Sequence, residues 1–147
     1  MTRIAVKPTL QPELFVYSFP VRVYFENTDA GGVVYHGEYL KFLERARTEW
    51  LRHLGYDHQS LARDHRVVFV VTSLAIEFAK PARLDDGLAV SVRLESLGKV
   101  RCVFAQEVRR DDEVLVKARV TVASVTGDNM KPTEIPEGLR KKMEASL

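Results

Sequence analysis

Between Tyr24 and Tyr39 the chain reads Tyr-Phe-Glu-Asn-Thr-Asp-Ala-Gly-Gly-Val-Val-Tyr-His-Gly-Glu-Tyr, and most of its candidate chemistry lies there. Asp29 stands in a turn-forming run, Asn27 to Gly32, just ahead of the only strong helical pattern in the sequence. A carboxylate at such a place can act as general base or as nucleophile. The backbone N–H groups near His36 and Gly37, where the helix begins, can polarise a carbonyl oxygen with the help of the helix dipole. The plain alternative is that Asp29 only shapes a turn while Gly31-Gly32 supplies positive φ. Residue types alone leave both readings open.

The neighbours of Asp29 are similarly two-sided. The His36 side chain can orient a substrate or move a proton, or serve as a structural residue at the helix start. Tyr35 and Tyr39 read as packing groups or pocket walls. Glu44 lies on the edge of the apolar helical arc, where it either faces a site or pairs with Arg47. Cys102 falls inside a strand-like run and reads as a buried structural thiol. As the single cysteine it excludes an intramolecular disulfide. His36, His53, His58 and His65 show no ligand spacing, so no metal is expected. No G-x-S-x-G elbow and no phosphate-cradling glycine motif occurs.

The elements that must position these residues follow from periodicity. Phe19, Val21, Val23 and Phe25 alternate with polar neighbours, which predicts a half-buried strand with Pro20 near its start. From about Gly37 to Leu54, Tyr39, Phe42, Leu43, Ala46, Trp50 and Leu54 share one helical stripe that Leu40 and Leu51 widen. So broad an apolar arc wants to be wrapped rather than laid on a flat surface. Gly55 is placed to stop the helix. Four strand-like runs follow, at residues 67–78, 88–95, 100–108 and 114–125, with short turn-rich separators that predict antiparallel neighbours. The expected architecture is α+β, a curved antiparallel sheet of about five strands wrapped around one central helix. An edge strand or the outer face of such a sheet is free to meet another subunit. Residues 1–18 read as an N-terminal arm, 19–132 as the domain and 133–147 as a polar, peripheral tail.

Bulk properties narrow the field. A chain of 147 residues with 46% apolar and 29% charged residues is an ordinary globular domain. A net charge of +2, with scattered basic residues, gives no reason to expect nucleic acid. No apolar run reaches the ~20 residues of a membrane span. The first residues lack a signal-peptide core, so the expected compartment is the cytoplasm.

The string from Tyr24 to Tyr39, continued by Phe42-Leu-Glu-Arg-Ala-Arg-Thr-Glu-Trp-Leu51, strongly resembles the YbgC group of hotdog-fold acyl-CoA thioesterases, within the 4-hydroxybenzoyl-CoA thioesterase-like family. Ile76-Glu-Phe-Ala-Lys-Pro-Ala-Arg-Leu-Asp-Asp86 and Met130-Lys-Pro132 are also similar to stretches of that family. The resemblance implies hydrolysis of an acyl-coenzyme A without metal or redox cofactor. It implies Asp29 as nucleophile or base for water, the His36 backbone N–H on the thioester carbonyl, and an auxiliary His36 side chain. Tyr35, Gly37, Tyr39 and Glu44, close to these in the sequence, are taken as further substrate contacts. Lys80, Arg83, Lys99 and Arg101 are the basic residues available for the coenzyme A phosphates, with Lys99 and Arg101 taken as binding residues. A homodimer or a homotetramer built as a dimer of dimers is implied, with acyl carrier protein a further possible partner. Position 27 departs from the pattern: Asn27 stands where the group more often has aspartate. Two other classes stay in view, an acyl-thioester dehydratase or isomerase on the same fold and a non-catalytic acyl-CoA or carrier-protein binder.

Overall fold

The computed structural model describes residues 16–147. Its elements are strand β1 (Tyr17–Arg22), helix α1 (Glu38–His53), strands β2 (Val67–Phe78), β3 (Gly87–Leu97), β4 (Arg101–Arg110) and β5 (Glu113–Thr126), and helix α2 (Glu137–Glu144). The strands form one antiparallel sheet in the order β1-β3-β4-β5-β2. The sheet curls around α1, whose Tyr39, Phe42, Leu43, Ala46, Trp50 and Leu51 are buried against Val90, Val92, Phe104, Val108 and Val120. Trp50 meets Phe104 edge-on at 5.1 Å between ring centroids, a geometry that aromatic quadrupoles favour. Burying one such large side chain contributes roughly 1.5–3 kcal/mol, so the wide arc of α1 is a substantial part of what holds the core together. None of the described helices is long and apolar enough to cross a membrane.

Helix α1 ends as its sequence dictates. Gly55 takes φ +92°, its N–H bonds Arg52 O at 2.8 Å and the Tyr56 N–H reaches back to Leu51 O at 3.1 Å. This is a Schellman stop, and it satisfies carbonyls that the helix leaves without donors.

Four expectations need correction. The strand ends at Arg22, and a single 3-10 turn, Phe25–Asn27, rotates Phe25 out of the alternation to 81% exposure. The runs at 67–78 and 87–97 are not neighbours, because β2 pairs with β5 and forms one edge of the sheet. Residues 79–86 instead cross the end of the sheet, held by Arg110, which binds Asp86 at 2.7 Å and Glu113 at 2.8 Å. The tail is not peripheral. Leu139 and Met143, four apart on one side of α2, are buried in the main core, and so is Ile135 in the segment that leads into the helix. Arg47 does not bond Glu44; its guanidinium turns inward and donates to Gln106 Oε1 at 2.9 Å. The arm expected at residues 1–18 falls mostly outside the described residues, and strand β1 already begins at Tyr17.

Candidate active site

Asn27 to Tyr35 fold into a small hairpin. The Asp29 N–H bonds Val33 O at 2.9 Å, Thr28 bridges Val34, and the Tyr35 N–H bonds Asn27 O at 3.0 Å. Gly32 takes φ +81° at the tip, a conformation that suits glycine. Asp29 lies on the outgoing leg, while His36 and Gly37 follow directly on the returning one. The hairpin is anchored to the crossover by Val34 N–H on Ala82 O at 2.9 Å and by a bridge between Val33 and Arg83.

The two oxygens of Asp29 differ. Oδ1 accepts the Gly31 N–H at 2.8 Å and, more weakly, the Val33 N–H at 3.4 Å. Oδ2 has no partner among the described residues, and the residue is solvent-exposed. One oxygen therefore fixes the carboxylate and the other is free to take a proton or attack an electrophile. At the helix start the Glu38 N–H bonds Tyr35 O at 2.9 Å, whereas the N–H groups of His36 and Gly37 have no acceptor among the described residues. Gly37 is the N-cap of α1 and His36 precedes it in the turn closed by Tyr35 and Glu38, so both donors lie near the positive end of the helix dipole. A free carboxylate oxygen on the hairpin and a pair of free amides directly after it are the minimum that acyl transfer requires.

The other sequence candidates fall into two groups. Tyr35 and His36 stack at 4.3 Å between ring centroids, and His36 meets the edge of Phe78 at 6.4 Å, so these exposed rings form one wall beside the helix start. Gly37 makes room for that wall, since a Cβ there would come within 2.9 Å of the Tyr35 ring. Tyr39 is buried, and its hydroxyl accepts the Ala82 N–H at 3.0 Å, tying α1 to the crossover. Burial raises the Tyr39 hydroxyl above its usual range.

Farther from Asp29, Glu44 accepts a bond from Thr48 at 3.3 Å. Both line a cavity of about 120 Å³ between α1 and the strands, together with Arg47, Leu51, Phe69 and Val71. Cys102 also borders it, and burial pushes that thiol up to about 12. Lys99 and Arg101 sit in the β3–β4 hairpin, beside α2 and at the opposite end of the sheet from Asp29 within one protomer. Arg83, by contrast, adjoins the Asn27–Tyr35 hairpin directly. Among the described residues no His, Cys, Asp and Glu side chains group as a metal site.

Sequence reasoning missed what Asn27 does. It is 3% exposed, accepts the Tyr24 N–H at 2.7 Å and donates to Glu38 Oε1 at 2.7 Å. The departure from the family pattern at position 27 is the one signal of this that the sequence carries.

Comparison with known proteins identifies the family of the chain. Residues 31–121 match the family model described as thioesterase superfamily, a span that begins two residues after Asp29. A Haemophilus influenzae protein, acyl-CoA thioesterase YbgC, is 46% identical over 124 residues, covering 84% of this chain and 91% of that one. An Escherichia coli O157:H7 protein, acyl-CoA thioester hydrolase YbgC, is 44% identical over 125 residues, covering 84% and 92%. Among solved structures, a probable thioesterase from Bartonella henselae superposes with a TM-score of 0.80 at 35% identity, covering 82% of this chain and 99% of that one. The chain belongs to the thioesterase superfamily and, within it, to the YbgC group of hotdog-fold enzymes.

Proposed function

We propose that this protein is an acyl-CoA thioesterase that hydrolyses its substrate to a free acid and coenzyme A at the Asn27–Tyr35 hairpin. The observation that carries the reading is the unshared Oδ2 of Asp29 on the hairpin that leads directly into the unpaired N–H groups of His36 and Gly37. The thioester carbonyl accepts from these amides, which hold the negative charge that develops on its oxygen. Acting as base, Asp29 removes a proton from water as the water oxygen bonds to the carbonyl carbon. The tetrahedral intermediate then breaks its C–S bond, and the departing thiolate takes up that proton. Acting as nucleophile, Asp29 forms an anhydride with loss of the thiolate, and water then cleaves it. The same free oxygen serves either route. The His36 side chain, without a hydrogen-bond partner among the described residues, contacts substrate beside Tyr35.

The acyl tail runs along α1 toward the cavity near Thr48, about 16 Å from the helix start at 1.5 Å per residue. Leu40, exposed at 43%, and Leu74 and Phe78 of edge strand β2 flank this path. A second copy of the chain completes it. Val71, Leu74 and Phe78 are 52%, 39% and 50% exposed on an unpaired edge, which is the surface that a dimer would bury. Antiparallel pairing of two β2 edges would bring Lys99 and Arg101 of one subunit to the same end as Asp29 of the other. On that ground they remain contacts for coenzyme A, joined by Arg83 from the hairpin's own subunit.

The test is a panel of acyl-CoA thioesters, short, long and aromatic, followed by free-thiol detection and product analysis. Release of coenzyme A and acid in equal amounts is expected from at least one member. Water loss from a 3-hydroxyacyl thioester would assign the dehydratase class instead. Tight binding of acyl-CoA or acyl carrier protein with no turnover would assign a binding role.

A further inference from the structure

Among the described residues only Asn27, Gln106 and Ser124 are both polar and fully buried. Gln106 braces the helix and sheet, bonding Leu43 O and Ser91 O. Asn27 braces the reactive hairpin, and with opposite chemistry at its two ends. Its Oδ1 accepts from the backbone before Asp29, at Tyr24, while its Nδ2 donates to the carboxylate of Glu38, the first residue of α1. Its own carbonyl accepts the Tyr35 N–H. Tyr35 and Glu38 are the residues on either side of His36 and Gly37. The side chain and carbonyl of one buried residue thus grip both flanks of the two free amides, two positions from Asp29.

We propose that Asn27 and Glu38 are positioning residues for the reaction, setting the placement of Asp29 relative to the N–H groups of His36 and Gly37. This inference rests on the thioesterase reading and deepens it. An amide suits position 27 because it must accept at one end and donate at the other. A carboxylate there would still accept from Tyr24 but would press an oxygen against Glu38 Oε1, where the donor now sits at 2.7 Å. The charged groups facing Glu38 are Lys41, paired with its other oxygen at 2.9 Å, and the more distant Arg45; the 3-10 turn contributes only the neutral Asn27. Lys41 is largely exposed, so its ion pair adds little stability. Its bond is nonetheless the main cause holding the Glu38 carboxyl below the usual range, and a second carboxylate at position 27 is the one that would take up the proton. Two touching carboxylates are stable only while they share a proton, and they repel once both ionise.

The bond can be reversed rather than merely removed, and that gives the test. Asn27→Asp should lower kcat by about 10- to 100-fold at pH 8, since small misplacements of reacting groups carry penalties of that order, with KM little changed. Because the carboxylates repel only when both are charged, kcat should recover as pH falls toward about 6. Glu38→Gln keeps the acceptor for Asn27. The pair Asn27→Asp with Glu38→Gln restores the bond with donor and acceptor exchanged, and should recover kcat to within about threefold of the parent without the alkaline loss. A merely structural residue would not give a pH-dependent kcat that a second substitution abolishes.

The inference is overturned if Asn27→Asp matches the parent across pH, or if the double variant is as impaired as the single. Should the single variant not fold, the double variant decides by folding and turning over, or not. Amide hydrogen exchange at Tyr35 supplies a readout without turnover: protection should fall in Asn27→Asp and return in the double variant. A parent protein that hydrolyses no acyl-CoA sinks the thioesterase reading, and the exchange result then decides whether the bond positions the hairpin.

Discussion

Replacing Asp29 by asparagine separates the chemistry of that residue from its role in the turn. In the structure Oδ1 accepts the Gly31 N–H at 2.8 Å and Oδ2 is unpartnered among the described residues. Asparagine keeps an oxygen for Gly31 and replaces only the free one. Stability should therefore stay within about 0.5 kcal/mol, as for other exposed substitutions that keep their bonds. The amide can neither accept a proton usefully nor attack a thioester. Loss of a positioned acid–base group typically costs about 10²–10⁴ in rate. That corresponds to roughly 3–5 kcal/mol of barrier at 1.36 kcal/mol per tenfold. Asp29→Ala should lose the same rate and also the turn bond, worth about 0.5–1.5 kcal/mol, or a few degrees in Tm. The assay is thiol release from the best acyl-CoA of the panel, run beside thermal melts of both variants. The reasoning is refuted if Asp29→Asn retains more than a tenth of the parent kcat, or if activity falls only in step with Tm.

Three further expectations concern the frame around the site. Tyr39→Phe removes the acceptor of the buried Ala82 N–H and should destabilise the fold by about 1–3 kcal/mol, read by urea denaturation; an unchanged midpoint would contradict the bond's importance. The Cys102 thiol, with its folded-state value raised by burial to about 12, should resist thiol reagents at pH 8 until the protein unfolds. Since the raised value belongs to the folded state, its stabilisation is complete below the ordinary thiol range and is lost as pH rises toward about 12; Cys102→Ala should flatten alkaline unfolding. Leu74→Arg tests the proposed pairing of two copies through the exposed β2 edge: it should shift sedimentation toward the monomer and lower activity together, whereas unchanged sedimentation would refute pairing at that edge.

What the sequence disclosed follows physical scale. The breadth of the α1 arc announced a wrapped helix, and Gly55 announced its end, because both depend on local periodicity and backbone freedom. The partner of β2 was not legible. Adjacency along the chain suggested β3, but residues 79–86 are committed to holding the reactive hairpin and cross the sheet end instead. The tail looked polar because α2 exposes most of its surface, and only the spacing of Ile135, Leu139 and Met143 betrayed a buried side. At the site, Asp29 was visible as a residue type. The inequality of its two oxygens, and the grip of Asn27 on Glu38, are relations between backbone and side chain that no residue inventory contains.

The most direct measurement is a crystal structure with a ketone analogue of acyl-CoA, in which a methylene replaces the thioester sulfur and the carbonyl is kept. The account predicts that carbonyl oxygen at about 3 Å from the N–H groups of His36 or Gly37, with Oδ2 of Asp29 facing the carbonyl carbon or a water beside it. A carbonyl bound away from the helix start, or an Asp29 turned from it with both oxygens engaged in the turn, would contradict it.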